Sequence, residues 1–345
     1  MNKFKCLLTA IALVIAPNLT AQDVLNDSTA QKKLPVQAFA AMPILVGLSA
    51  ENAFPHEKKY QTIGDDALNL SMKNCQVYSI YGSLPIIKRT KGFAAKANFG
   101  YNVFKDNIGT MVSNDSIIAN NTEALGSSVN VALHLSQQIL FKKWNKKLTL
   151  AASYNISGRG ITHFEKETQR GIFTATFPLK MTKDNMLLVG AVGTVGKNVQ
   201  LPVLPIVVYF TRVSNHLNVE LLFPVFAQLR YVISPRSAVL LGAKIANRAP
   251  FMGLEMPILQ NPDDALAINS QNLRYYLNVE KAVNKYLWFH GELGYNQRLK
   301  ETLNASYIGL SNQVFTGEGR DGYMYAKIGM FVRPVFGTIK AKTKK

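Results

Sequence analysis

Two residue pairs have the types and spacing of catalytic chemistry: His134 with Ser136, and His290 with Glu292. On an extended strand, residues two apart share a face, so each histidine stands beside a hydroxyl or carboxylate it would activate or be oriented by. A strand that turns its polar residues to one side produces the same spacing with no chemistry at all, and a structural role is the reading these pairs take. His56, His163 and His216 have no ligand-like spacing. Asp263 and Asp264 follow Asn261-Pro262 with calcium-binding chemistry but no repeated loop pattern around them. The chain contains no GxSxG, HExxH, GxGxxG, phosphate-binding Gly/Lys loop or pair of exported cysteines. It reads as a non-enzyme, without cofactor or metal.

The ordered charges are more informative. Lys96, Lys180, Arg212, Arg230, Lys244, Arg274, Lys327 and Arg333, with Glu220, Glu280 and Glu292, fall opposite the apolar positions of their segments. Turned toward one interior, eight bases against three acids would set up a positive field that concentrates anions. Glu220 and Arg230 sit on consecutive segments and are expected to pair. The same interior would also receive Tyr276, Trp288 and Phe331, which could fill it instead.

These positions depend on strands, and period 2 dominates the chain. Leu217, Val219, Leu221 and Phe223 face Asn218, Glu220 and Leu222; Ala227, Leu229, Tyr231 and Ile233 face Gln228, Arg230 and Val232. The alternation recurs over 239–245, 272–280 and 324–333. Five such segments exclude a helical fold, and the class is all-β.

The connections decide between a sandwich and a barrel. Short links at 88–91, 142–147, 182–185, 213–215, 234–236 and 284–285 alternate with longer ones at 51–66, 105–126, 158–170, 196–202, 247–270 and 299–322. Pro224-Val225 is the one tight link on the long side. Turns at one end and loops at the other describe a single transmembrane antiparallel β-barrel. Thirteen strands are legible between 68 and 336. A chain that starts and ends in the periplasm needs an even number, so 36–50 supplies the first of 14, with 12 as the alternative count.

The N-terminus fixes the compartment. Lys3 and Lys5 precede an apolar run over 7–16, broken by Pro17, with Leu19-Thr20-Ala21 before Gln22. This is a signal peptide over 1–21, too short to span a bilayer. A periplasmic segment over 22–35, the barrel over 36–337 and a basic tail over 338–345 follow. Cys6 leaves with the peptide, and Cys75 alone makes no internal disulfide.

Charged residues make up only 17% of the chain, and the formal charge is +18. The first figure, against a typical share of about 25%, argues against disorder; the second points to an anionic partner. Charge is sorted by end. The short links hold ten Lys or Arg and one acid, Asp184, whereas the long ones hold 15 of the 21 acids. No helix or row of stacking aromatics accompanies the lysines, so nucleic acid is not a partner. The partners expected are outer-membrane lipid and lipopolysaccharide, the barrel-assembly machinery and small anionic solutes. Tyr101, Phe104, Phe141, Trp144, Phe223 and Phe226 near segment ends have the placement of an interfacial girdle.

Leu201-Pro202-Val203-Leu204-Pro205, Leu217 to Pro224 and Ala227 to Pro235 resemble an uncharacterised family of outer-membrane β-barrels from Bacteroidota-type bacteria. The resemblance is clearest over 200–246 and extends over 68–336. It implies the barrel fold and carries no activity. Asp27-Ser28-Thr29 and Asp115-Ser116-Ile117 resemble the O-glycosylation sequons of such bacteria. The chain departs from many outer-membrane barrels by ending on Lys340 to Lys345 rather than an aromatic, which moves the expected assembly signal back to Phe336.

The reading is a bacterial outer-membrane barrel acting as a passive pore or transporter with a positively charged lumen; the alternative is a non-conducting structural or adhesion barrel that presents its loops. The mature protein is expected to begin near Gln22 and to fractionate with the outer membrane. N-terminal sequencing and fractionation check this, and recovery of the unheated protein in the soluble periplasm would overturn it.

Overall fold

The computed structural model describes residues 44–61, 67–90, 93–113, 116–141, 146–159, 163–164, 169–182, 184–196, 203–248, 267–284, 286–304, 314–317 and 322–333. The signal peptide, the segment 22–35 and the tail 338–345 lie outside the described residues, as do Asp27, Asp263, Asp264 and Phe336.

Every regular element among the described residues is a strand. In chain order these are β1 (Val46–Ala53), β2 (His56–Gln61), β3 (Ala67–Thr90), β4 (Phe93–Ser113), β5 (Ser116–Phe141), β6 (Lys146–Arg159), β7 (His163–Phe164), β8 (Arg170–Met181) and β9 (Asn185–Gly196). They continue with β10 (Val203–Arg212), β11 (Leu217–Phe223), β12 (Phe226–Ser234), β13 (Ser237–Arg248), β14 (Ala267–Ala282), β15 (Leu287–Asn304), β16 (Val314–Gly317) and β17 (Gly322–Val332).

Fourteen of them close a barrel in which every pairing is antiparallel. Each pairs with the next along the chain, and β17 pairs with β1 from Val46↔Val332 to Ala53↔Tyr325. The other three are short additions at the loop end. β2 lies on β3, β16 on β15, and β7 on β6. Closure satisfies the last backbone edge inside the bilayer, where no water would do so. The chain is a closed antiparallel β-barrel of fourteen strands.

The expected first strand is present but displaced. β1 occupies Val46–Ala53, so Glu51 to Ala53 belong to it rather than to a loop; residues 36–43 lie outside the described ones. The stretch 105–126, expected as a loop, is mostly strand, since β4 runs to Ser113 and β5 starts at Ser116. β3, β4 and β5 have 24, 21 and 26 residues, about twice the 9–11 that cross a bilayer. Beyond the bilayer both faces of a strand meet water, so the alternation that marks a strand lapses while the backbone ladder continues.

Inside and outside follow from register. Leu229, Tyr231, Leu241, Leu277, Val279 and Ile328 are exposed on the lipid side. The buried set is the inner one, and it includes Glu220, Arg230, Glu280, Glu292 and Tyr325. Two glycines let rings lie flat along that inner wall. Gly242 pairs with Tyr276, and Gly294 pairs with Tyr325. A methyl group added at Gly294 would stand 2.4 Å from the Tyr275 carbonyl oxygen and 2.7 Å from the ring and hydroxyl of the fully buried Tyr325. Gly294→Val is expected to cost about 1–3 kcal/mol by overpacking, read as a lower temperature for the unheated-to-heated shift in gel mobility; an unchanged temperature would contradict the packing.

Candidate functional site

The inner wall divides into two unlike halves. On β11 to β15, β17 and β1, charged side chains interlock. Arg230 on β12 donates from Nε to Glu220 on β11 at 2.8 Å, and from Nη1 to Glu280 on β14 at 3.0 Å. Arg333, just past β17, reaches the same Glu280 oxygen at 3.4 Å. Gln228 donates to Glu220 and accepts from the Tyr276 hydroxyl at 2.5 Å. Lys244 on β13 contacts both oxygens of Glu292 on β15 at 3.1 Å, and the Tyr325 hydroxyl donates to Glu292 at 2.6 Å.

The longest reach is Arg274 on β14, whose two terminal nitrogens grip both oxygens of Glu51 on β1 at 2.9 and 2.8 Å. β15 and β17 intervene between those strands, so this fork bridges across the lumen side of the wall. Planar forks of this kind are the strong class of ionic hydrogen bond. Aromatic faces complete the packing. Lys244 lies 4.3 Å from the Tyr276 ring centre and Arg274 4.7 Å from that of Tyr325, while Arg333 covers Phe331 at 4.5 Å and Trp288 at 5.5 Å. The network therefore spans seven of the fourteen barrel strands.

The other half, from β4 to β9, is uncharged over most of its inner face. Register places Asn98 and Asn102 on β4, Asn130 and Ser136 on β5, Ser153 and Asn155 on β6, Thr174 and Thr176 on β8 and Thr194 on β9 in the inward set. These side chains keep solvent exposure, whereas those of the ionic half are mostly buried. A side chain added at Gly100, also inward, would meet nothing within 4 Å.

The charged residues expected in the lumen distribute as follows. Arg230, Lys244, Arg274, Arg333, Glu220, Glu280 and Glu292 come together in the network. Lys327 stands in register with both Glu51 and Glu292. Lys96 is exposed and opposite His134. Arg212 lies at the turn end of β10, 3.3 Å from Asp184. Lys180 departs from the inward set: a register shift between Pro178 and Lys180 sets it opposite Leu187, a lipid-side position. A one-residue slip moves a side chain to the other face.

Glu51 and Asp106 belong to the inner wall and were not among the expected residues. Gly47 and Ser49 alternate with Val46, Leu48 and Ala50, so continuing that period by one step would have included Glu51. Asp106, buried opposite Cys75, lies just past the alternation of Ala97 to Val103, which the inward Phe104 and outward Lys105 interrupt. Of the pairs with catalytic spacing, His134 lies opposite Ser153, and His290 lies opposite Glu280 and Gly329. Among the described residues, no three His, Cys, Asp or Glu side chains are grouped to hold a metal ion.

No family model matches the chain, and no curated protein matches it. Among solved structures it is similar to an outer membrane channel from Pseudomonas putida F1, at 10% identity and a TM-score of 0.35, covering 90% of this chain and 100% of that one. It is also similar to the transport unit of the autotransporter AIDA-I from Escherichia coli, at 11% identity and 0.34, covering 92% and 97%. A third similarity is to the outer membrane protease OmpT from Escherichia coli, at 10% and 0.26, covering 84% and 95%. At these values the likenesses carry no information on substrate or mechanism.

Arg230 separates two carboxylates that are each less than a tenth exposed. Arg230→Met is expected to lose about 3–5 kcal/mol, because it leaves Glu220 buried without its cation and Glu280 with only the longer contact to Arg333. Adding Glu220→Gln and Glu280→Gln to it should recover most of that loss. Urea unfolding of the refolded barrel measures both, and a neutral Arg230→Met would contradict the network.

Proposed function

We propose that this barrel is a passive channel for small anionic solutes, which pass along the uncharged hydrogen-bonding wall of β4 to β9. The observation that carries the reading is the contrast between the halves. Ionic and aromatic side chains occupy the space beside β11 to β17 and β1, while the inward Ser, Thr and Asn side chains opposite retain exposure. Among the described residues, the bases at inward register positions include Lys96, Lys147, Arg170, Arg212, Arg230, Lys244, Arg274, Arg298, Lys327 and Arg333. The acids on that surface include Glu51, Asp106, Glu220, Glu280 and Glu292. The surplus supports a positive field along the path. The charges lie inward because an Arg or Lys facing lipid at mid-bilayer costs about 2–4 kcal/mol.

A second reading, a non-conducting barrel that presents a surface for adhesion, is favoured by one feature. β3, β4 and β5 continue well past the bilayer as a projecting sheet, with β2 added to it.

Reversal potentials of the purified, refolded protein in a salt gradient separate the two. Anion preference is the expected result. Lys96→Glu with Arg170→Glu, both on the exposed wall and outside the ionic network, should move the selectivity toward cations. Cation preference in the unaltered protein would overturn the charge assignment, and a folded barrel that does not conduct would favour the second reading.

A further inference from the structure

On the lipid side of β5, β6, β8 and β9 lies a groove of about 470 Å³, a volume within the range of small-ligand sites. Leu135, Leu150 and Phe173 form its raised walls, and Ala152, Ala175 and Gly193 its floor. Register sets all six outward, opposite in parity to His134, Thr174 and Val192. The floor residues are small and the wall residues exposed, so the depression is a feature of the outer surface and not an extension of the lumen.

The groove has a basic border on one side only. Its strands end toward the turns at the β5–β6 and β8–β9 connections. Lys180 is exposed there on the groove's side, and Lys142, Lys143, Lys146 and Lys183 lie in the same two stretches of sequence; Lys147, also exposed, holds the lumen parity of Thr149 and Ser153. The single acid of these connections, Asp184, is engaged by Arg212. The register shift that takes Lys180 out of the lumen puts it on the groove's own face of the barrel. An apolar slot at acyl depth, with lysines at headgroup depth, is complementary to a lipid bearing a phosphate.

We propose that this groove holds one acyl chain of an anionic glycerophospholipid from the turn-side leaflet, with its phosphate against Lys180 at the basic turn rim. A second copy of the barrel is disfavoured as the occupant. It would set two turn rims side by side, and those rims hold ten bases against one acid.

Native mass spectrometry of the full refolded chain tests this, with detergent micelles titrated with phosphatidylglycerol or with phosphatidylcholine of the same acyl chains. One retained phosphatidylglycerol per barrel is expected, at about tenfold lower concentration than phosphatidylcholine. Ala152→Phe, which fills the groove, should abolish that retention. Lys180→Gln should remove the tenfold preference while leaving both lipids weakly bound. Gly193→Leu serves as a second groove-filling variant, with the heat-dependent gel shift confirming that each variant folds. Equal retention by the filled variants, or no preference for phosphatidylglycerol, would overturn the proposal. A dimer mass dispersed by Ala152→Phe would assign the groove to a second copy.

Discussion

The structure depends on one constraint: within the hydrocarbon of a bilayer, a backbone amide finds no water to bond. An open sheet would leave two rows of unpaired groups in lipid, so β17 must return to β1. Their ladder, unbroken over eight residue pairs, carries the same chain-wide register that sorts every side chain to lipid or lumen. Once the sheet is closed, the choice of face stops being local. A charge on the wrong parity meets hydrocarbon, and each strand inherits its parity from its neighbours.

The ionic network follows from that sorting. Buried ion pairs are weak sources of net stability, because desolvation offsets most of the attraction. What they do here is penalise alternatives. Arg274 finds Glu51 only if β14 and β1 are separated by two strands at the observed stagger, and Lys244 finds Glu292 under a similar condition. A slip of two residues would preserve the apolar outer face and still strand these charges. The apolar pattern and the network thus exclude different errors, the first of odd register and the second of even.

Where the bilayer imposes alternation, the fold was legible in the sequence. β11 to β14 and β17 read directly from period 2, and the even count required an upstream strand, placed at 36–50, of which 46–50 belong to β1. Two kinds of information were not legible. Outside the bilayer the rule lapses, so Asp106-Asn107-Ile108-Gly109-Thr110 reads as a loop although Asp106, Asn107, Ile108 and Thr110 pair with β5. Within it, a bulge leaves no compositional mark: Phe177-Pro178-Leu179-Lys180 alternates acceptably in either parity, and only pairing with β9 shows that Lys180 has crossed to the lipid side. Glu51 fell between these cases, at the last polar step of a short strand that had been ended one step too soon.

The strands differ greatly in length. β3 has 24 residues and β11 has 7, a difference on the order of 40 Å in height once strand rise and tilt are counted. The described rim is therefore cut obliquely, like a quill. One flank stands far above the headgroups, and the other ends near them in the two-residue turn at Pro224-Val225. Molecules diffusing along the cell surface meet the two flanks differently. From the tall side they strike a screen, and from the low side they arrive almost level with the lip. Approach to such a rim is directional in the plane of the membrane.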